Sequence, residues 1–425
     1  MQRFLTPRVF SSRFSSNATL SIQLPARHRP YCHTQLRLFT QMSTPTSSSP
    51  VEEETVLTYE PQRFYPAKLG EVFDSRYTVV SKLGFGMNST IWLCRDSKSQ
   101  EYVAVKVCAL RQKFRDSEAR TQAESEQAVA AFFNSIQIEH PGINSLRLLR
   151  SHFEVQGPHG THPCLVHTPL GMNLLQLRNV MQNQVLPTPL LQHTLLRVSF
   201  GLDLLHQADL SPNNILISVP DTNIFSQVDK AESEHPTILK TTGDRTIYGS
   251  RPLPITQGIP VICDFGESRM GQPGQKYRGD VMPDFYRAPE VILGMEWDEK
   301  IDIWCVGLMI WDLFQGTRLF YALKDRILND EQHLAEMVSL MGPPPKAFLE
   351  RSPKCREYWN ADGNWIASTP IPEQSFDMRE AQLKGEDHHL LLALVKKIFR
   401  WLPEERATAQ DLTEDAFLTQ FLKKN

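Results

Sequence analysis

Two textures divide this chain, and their order limits the folds open to it. Residues 77–108 hold short runs rich in branched and aromatic side chains: Tyr77-Thr78-Val79-Val80, Thr90-Ile91-Trp92-Leu93-Cys94 and Tyr102-Val103-Ala104-Val105-Lys106-Val107, broken by Gly, Asn and Ser. Such side chains suit a pleated, half-buried surface, so the runs predict strands. A pattern rich in Ala, Glu and Gln predicts a helix over 116–135. Beyond residue 185 long helical patterns take over, at 190–205, 301–314, 331–340, 388–401 and 409–421. Strands followed by helices predict an α+β fold with a small β-rich lobe and a larger helical one. A length of 425 residues suits one large two-lobed unit or two to three domains.

Composition removes other classes. Apolar residues make up 41% and charged residues 22%, ordinary globular usage that excludes a wholly disordered or collagen-like chain. A net charge of −3 gives no global reason for direct nucleic-acid binding. The longest apolar stretch, 303–311, lies between Asp302 and Asp312 and is too short for a membrane span, which needs about 20 residues. Seven cysteines, with no C-x-x-C pair, argue for buried thiols in a reducing compartment rather than disulfides or structural zinc. Residues 1–51 contain six Arg and no Asp, Glu or Lys, the composition of a mitochondrial transit peptide. A disordered leader, or an extension upstream of Met42, fits that composition too. Residues 43–50 read as a flexible linker, 52–76 as an N-terminal extension, and the polar, turn-rich stretch 220–258 as an inserted loop.

Three motifs carry chemistry. Leu83-Gly84-Phe85-Gly86-Met87-Asn88-Ser89-Thr90-Ile91 is a glycine-rich loop between two strands. Glycines let backbone N–H groups approach a phosphate closely. The strand-to-strand setting argues against a dinucleotide fold, and Ser89 replaces the third glycine. Next, Lys106 stands in the middle of an apolar strand, where its charge is costly to bury unless a phosphate or carboxylate pairs it. Finally, Asp264-Phe265-Gly266 ends an apolar run, and an Asp so placed offers hard oxygen ligands to Mg²⁺. Ala288-Pro289-Glu290 and Arg406 follow in order.

Together these parts match the protein-kinase signature. From Tyr65 onward the chain resembles eukaryotic protein kinases, and within them the SR-protein-specific kinases and their fungal relatives. The resemblance rests on the stretch from Tyr65 to Tyr77, on Lys82 to Trp92, on Cys164-Leu165-Val166-His167-Thr168-Pro169-Leu170-Gly171, on Tyr286-Arg287-Ala288-Pro289-Glu290 and on residues 328–338. It implies a kinase domain over 77–424, with lobes 77–168 and 169–424, acting as a monomer on a Ser or Thr hydroxyl of a protein, with Arg/Ser-rich splicing-type proteins as the family's substrates, and with ATP and Mg²⁺. Gly84, Phe85, Gly86, Met87, Asn88, Ser89 and Thr90 would cover the phosphates, and Leu83, Ile91 and Ala104 would flank adenine. Lys106 would bind phosphate oxygens, partnered by Glu126 or, second, Glu124. His167 would be the gatekeeper, and the backbone of Thr168 and Leu170 would hydrogen-bond adenine. Asn214 and Asp264 would hold Mg²⁺, and Glu290 would pair with Arg406. The acidic residues at 329–335 either face basic peptides or form a solvated helix face. The family's usual compartments are cytosol and nucleus, whereas the leader points to mitochondria.

The catalytic loop departs from that pattern. Asp209, the expected base, keeps its spacing to Asn214, but about six residues that the family places before it are missing, and Ser211 stands where a Lys is expected. Losing that Lys removes a positive charge beside the transferred group. Either the preceding helix unwinds by a turn or Asp209 sits out of position. Three readings stay open: a weakened kinase, a nucleotide-binding scaffold without turnover, or a splice variant of a chain with the full loop. Between Gly266 and Ala288 the only hydroxyl residues are Ser268, Tyr277 and Tyr286, so activation by threonine phosphorylation is not expected.

Overall fold

In the computed structural model, which describes residues 49–56, 59–111, 121–135, 139–205, 210–243, 245–268, 275–279 and 281–423, the branched runs form one antiparallel sheet. Its strands are β1 (Val72–Phe73), β2 (Tyr77–Gly86), β3 (Ser89–Asp96), β4 (Tyr102–Cys108), β5 (Ser151–Gly157) and β6 (Gly160–His167), in the order β1-β2-β3-β4-β6-β5. Helix α1 (Gln122–Ser135) turns Ala123, Glu126, Val129, Ala130 and Phe133 inward, the spacing of one helical face. Of the basic leader only residues 49–51 are described; the remainder of that expectation lies outside the described residues. The extension 52–76 is integral to the small lobe. It supplies β1, and Ala67 and Phe73 join the core of Tyr77, Val79, Trp92, Val105 and Val166.

The large lobe is built on α2 (Leu174–Val180), α3 (Thr188–Leu204), α5 (Lys300–Ile310), α6 (Asp330–Met341) and α7 (Gly385–Ile398). Every residue of α5 from Ile301 to Ile310 is buried, as a helix apolar on all sides must be. At Gly307 a Cβ would lie 2.5 Å from Phe399 Cζ, so only glycine lets α5 approach that ring. Glu290 accepts two hydrogen bonds from Arg406, at 2.7 and 2.6 Å, and both side chains are buried, as the resemblance implies. The helical pattern over 409–421 is not one helix. It breaks into Ala409–Thr413, Ala416–Thr419 and a final 3₁₀ turn, because Asp415 accepts the Phe417 N–H and starts a new helix. The acidic residues of α6 are not a free solvated face but are tied within the large lobe. Asp330 pairs with Arg287, Glu331 accepts the Thr369 N–H, and Glu336 accepts the N–H groups of Tyr321 and Ala322. Among the described residues no helix is long and apolar enough to cross a membrane. Six cysteines are buried free thiols; Cys32 lies outside the described residues.

The stretch 220–258 is not an irregular loop. It holds α4 (Asn223–Glu234) and a hairpin of β8 (Ile238–Thr242) and β9 (Arg245–Tyr248), and it runs between β7 (Ile215–Ile217) and β10 (Pro260–Ile262). Phe225 and Val228 of α4 pack with Val80 and Leu93 of the small-lobe sheet. The apolar signal is sparse because α4 buries only Phe225, Val228 and Glu232. Between this insert and the extension lies a charged core. Lys82 on β2 is fully buried, pairs with Glu53, lies 3.3 Å from Glu52 and donates to the Tyr248 carbonyl at 3.0 Å. Glu52 accepts from the Ser250 N–H and hydroxyl, and Glu54 pairs with Lys240 at 3.0 Å. Three segments remote in sequence are thus tied around one ammonium.

Removing one partner of a buried ion pair costs about 3–5 kcal/mol, because the other charge is left desolvated. Glu53→Ala should therefore destabilise by roughly 3 kcal/mol, at the low end because Glu52 stays near, and Lys82→Met with Glu53→Leu should recover most of it in denaturant unfolding. Two large-lobe histidines add a pH dependence. Burial, together with Arg197, lowers His193 to about 4, and burial, then Arg287, lowers His333 to about 3. Both are neutral when folded, while the unfolded chain takes up their protons near pH 6.5. Stability should be full above about pH 6.5 and fall as pH drops toward 4, with a shallower slope in His333→Met.

Candidate active site

The register of the small-lobe sheet decides which side chains share a face. Gly84 lies opposite Ile91, Ile91 opposite Lys106, and Lys106 opposite Leu165. Ala104, two residues from Lys106, lies opposite His167. Directly paired residues and residues two apart project to one side of a sheet. Ile91, Ala104, Lys106 and His167 therefore line the same face. Leu83 and Ile91 are half-buried and Ala104 is buried.

The Gly84–Gly86 strand turns at Met87 and Asn88 into β3. The Asn88 side chain accepts from Arg63 at 3.1 Å, and its carbonyl accepts the Ala109 N–H at 2.8 Å. Phe85 and Met87 are exposed, Ser89 and Thr90 buried. A Cβ added at Gly84 would touch no atom within 4 Å, and neither Gly84 nor Gly86 has a positive φ. Neither the protein's own packing nor its backbone demands glycine there. The strand's face at Gly84 is open, with room for a group to approach the backbone closely.

Lys106 is buried, with Nζ 2.6 Å from Glu126 Oε1 and 2.7 Å from Asp264 Oδ1. Burial opposes its charge, but the Asp264 and Glu126 carboxylates outweigh that and hold the ammonium above its ordinary value. Burial also opposes ionisation of Glu126, yet Lys106 and His167 hold that carboxyl well below the usual range. The choice between Glu126 and Glu124 is thereby made. Glu124 caps the start of α1, accepting the Thr121 N–H at 2.7 Å. His167 Nε2 lies 3.3 Å from Glu126 Oε2, a contact that its expected gatekeeper position did not foretell.

Asp264 follows β10, which pairs with β7 so that Ile262 faces Ile215. The Cys263 N–H donates to the Asn214 carbonyl at 2.8 Å, so Asn214 and Asp264 flank the end of one short ladder. Asp264 has φ 63°, a left-handed conformation rare for residues with a Cβ and held by its surroundings. Phe265 is buried in the core that includes Val129 and Phe133 of α1. A Cβ on Gly266 would lie 2.8 Å from Gln122 Cβ, and Gln122 donates to Glu267 at 2.7 Å, which docks this turn on the start of α1.

The segment linking the lobes leaves Thr168 exposed and buries the Leu170 side chain with Val261 and Cys263. Arg147 donates to the Thr168 carbonyl at 3.0 Å, which leaves that oxygen one further lone pair for a base. Asp209 lies outside the described residues, as do 269–274 and 280 of the loop after Gly266. Helix α3 runs to Leu204, and Leu205 is already extended. The helix has not unwound by a turn to make up the missing residues. Leu210 and Ser211 are buried.

A profile described as the protein kinase domain matches residues 77–418. The chain belongs to the protein kinase family. A serine/threonine protein kinase of Aspergillus fumigatus is 38% identical over 404 residues, covering 91% of this chain and 98% of its own. The serine/threonine-protein kinase SRPK of Physarum polycephalum is 30% identical over 405 residues, 86% of this chain and 91% of that one. The serine/threonine-protein kinase AFC2 of Arabidopsis thaliana is 28% identical over 375 residues, covering 84% and 80%. This protein is a serine/threonine protein kinase that transfers phosphate from ATP to protein. The scaffold reading finds no support in these comparisons.

Sequence reasoning missed several partners in this kinase. The Lys82 core had a visible signal, since a lysine in the apolar run of β2 poses the same burial problem as Lys106. The Arg147 and Gln122 contacts had none, because each depends on how loops meet. Lys106→Met should weaken ATP binding at least about tenfold, since a charge-assisted hydrogen bond of about 1.5–3 kcal/mol is lost. Calorimetric titration with ATP and a divalent cation measures it.

Proposed function

We propose that this kinase uses ATP with Mg²⁺ to phosphorylate Ser or Thr in Arg/Ser-rich protein segments. The observation that carries the reading is the Lys106 ammonium held between Glu126 and Asp264 beside a strand whose glycines the protein itself does not need. Gly84, Gly86 and Ser89 cover the phosphates, while Leu83, Ile91 and Ala104 bound the adenine, which meets the backbone of Thr168 and Leu170. Lys106 binds phosphate oxygens and Glu126 keeps it aimed. Asp264 and Asn214 offer carboxylate and amide oxygens that suit Mg²⁺, which favours few protein ligands plus phosphate; the bound ion would neutralise charge on the phosphates.

Asp209 is the proposed base, accepting the proton of the attacking hydroxyl. With Ser211 in place of the expected Lys, less positive charge faces the transferred group, and turnover is slowed accordingly. Resemblance to the SR-protein-specific kinases and the relative named SRPK support an Arg/Ser-rich substrate. Buried free thiols favour a reducing compartment, cytosol or nucleus, whereas the acid-free leader favours mitochondria. Activity without loop phosphorylation is supported by the described part of the loop after Gly266, where Tyr277 and Trp297 exchange backbone hydrogen bonds at 2.8 and 2.9 Å.

Turnover on an Arg/Ser-rich peptide, compared with a tyrosine peptide, tests the reading. Phosphorylation of serine is expected to survive phosphatase treatment of the enzyme. Asp209→Asn should lower kcat about 10²-fold or more, the scale of a lost general base, with ATP affinity retained. Loss of activity on phosphatase treatment, or full activity in Asp209→Asn, would overturn these assignments.

A further inference from the structure

We propose that His167 is a positioning residue that aims Lys106 at the nucleotide's phosphates by fixing the second oxygen of Glu126. The inference rests on the proposed role of Lys106 and assigns a further task to the residue where the lobes join.

The two oxygens of Glu126 are divided between two partners. Oε1 is 2.6 Å from Lys106 Nζ, and Oε2 is 3.3 Å from His167 Nε2. Glu126 and His167 are both buried, at 3% exposure each. His167 Nδ1 is buried and makes no hydrogen bond. Burial, then Arg147, favours the neutral ring, against the pull of Glu126. A neutral imidazole carries one N–H. Placing it on Nε2 gives the carboxylate a donor, whereas placing it on Nδ1 would set a lone pair against an anion and leave Oε2 without that donor. The ring is therefore a neutral Nε2–H donor.

A carboxylate held at one oxygen can rotate about its last bond, whereas one held at both cannot. This matters once nucleotide arrives. In the structure Lys106 is shared by Glu126 and Asp264. Were Asp264 to hold a metal ion, Glu126 would be the carboxylate left to Lys106, and its orientation would decide where the ammonium points. His167 is on β6 directly opposite Ala104, two residues from Lys106, so strand register fixes the ring's distance from the pair. An apolar side chain at this place would fill the space but leave Oε2 buried without its donor.

His167→Met and His167→Gln separate this role from packing. The two replacements have similar length and volume, and only Gln keeps an N–H near the Nε2 position. Each is titrated calorimetrically with MgATP and with adenosine, which lacks phosphates. His167→Met should weaken MgATP about tenfold, the effect of losing one hydrogen bond to a charged group, while changing adenosine less than about twofold. His167→Gln should recover most of the loss. Equal weakening of MgATP and adenosine, or indistinguishable Met and Gln variants, would overturn the inference. On a Glu126→Gln background His167→Met should cost nothing further, and an added loss of about threefold or more would also overturn it. If Lys106→Met itself leaves MgATP binding intact, the phosphate-binding role fails; if it weakens binding while His167→Met is silent, only the positioning role fails.

Discussion

A single ammonium organises the cleft. Lys106 is buried in a sheet that would reject it without anionic company, and its carboxylates come from separate parts of the chain, Glu126 from α1 and Asp264 from the end of β10. Two anions cannot stand that close without a cation between them, and the cation cannot stand there without them. The electrostatic demand therefore fixes the position of α1 against the sheet and of the Asp264 turn against α1. Phe265 in the core and Gln122 on Glu267 follow the same docking.

Much of this was legible in the sequence because it follows from local rules. Branched runs became strands within a residue or two, and Lys106 betrayed its need for partners by standing among valines. Asp264 was found by its place at the end of an apolar strand. What stayed hidden depends on tertiary meeting. The helix pattern over 409–421 continued across Asp415, whose capping role competes with helix continuation only once the chain has turned. Residues 220–258 looked like a loop because their buried set is small, scattered and partly polar; Glu232, for one, is buried by accepting from Thr237 and Arg251. The extension 52–76 gave no hint that Glu53 would sit on Lys82, since no periodicity links residues 29 apart.

The catalytic loop is where sequence and family part. Helix α3 runs to Leu204 and β7 pairs with β10, and the four residues between Leu205 and Leu210 lie outside the described residues. Among the described residues no strand pairs with the turn after Phe265, and Ser268 Oγ is buried without a hydrogen bond.

The insert leaves the large lobe at β7 and returns to it at β10, yet its middle is fastened to the small lobe. Asp229 of α4 accepts from Arg95 and from Tyr102, and the Tyr248 carbonyl accepts from Lys82. Beside the covalent segment after His167, the Lys106–Asp264 pair and the Gln122–Glu267 bond, this bridge is a further tie between the lobes. An insert with both ends in the large lobe and its middle on the small one must deform, or travel with one of them, whenever the two change their spacing.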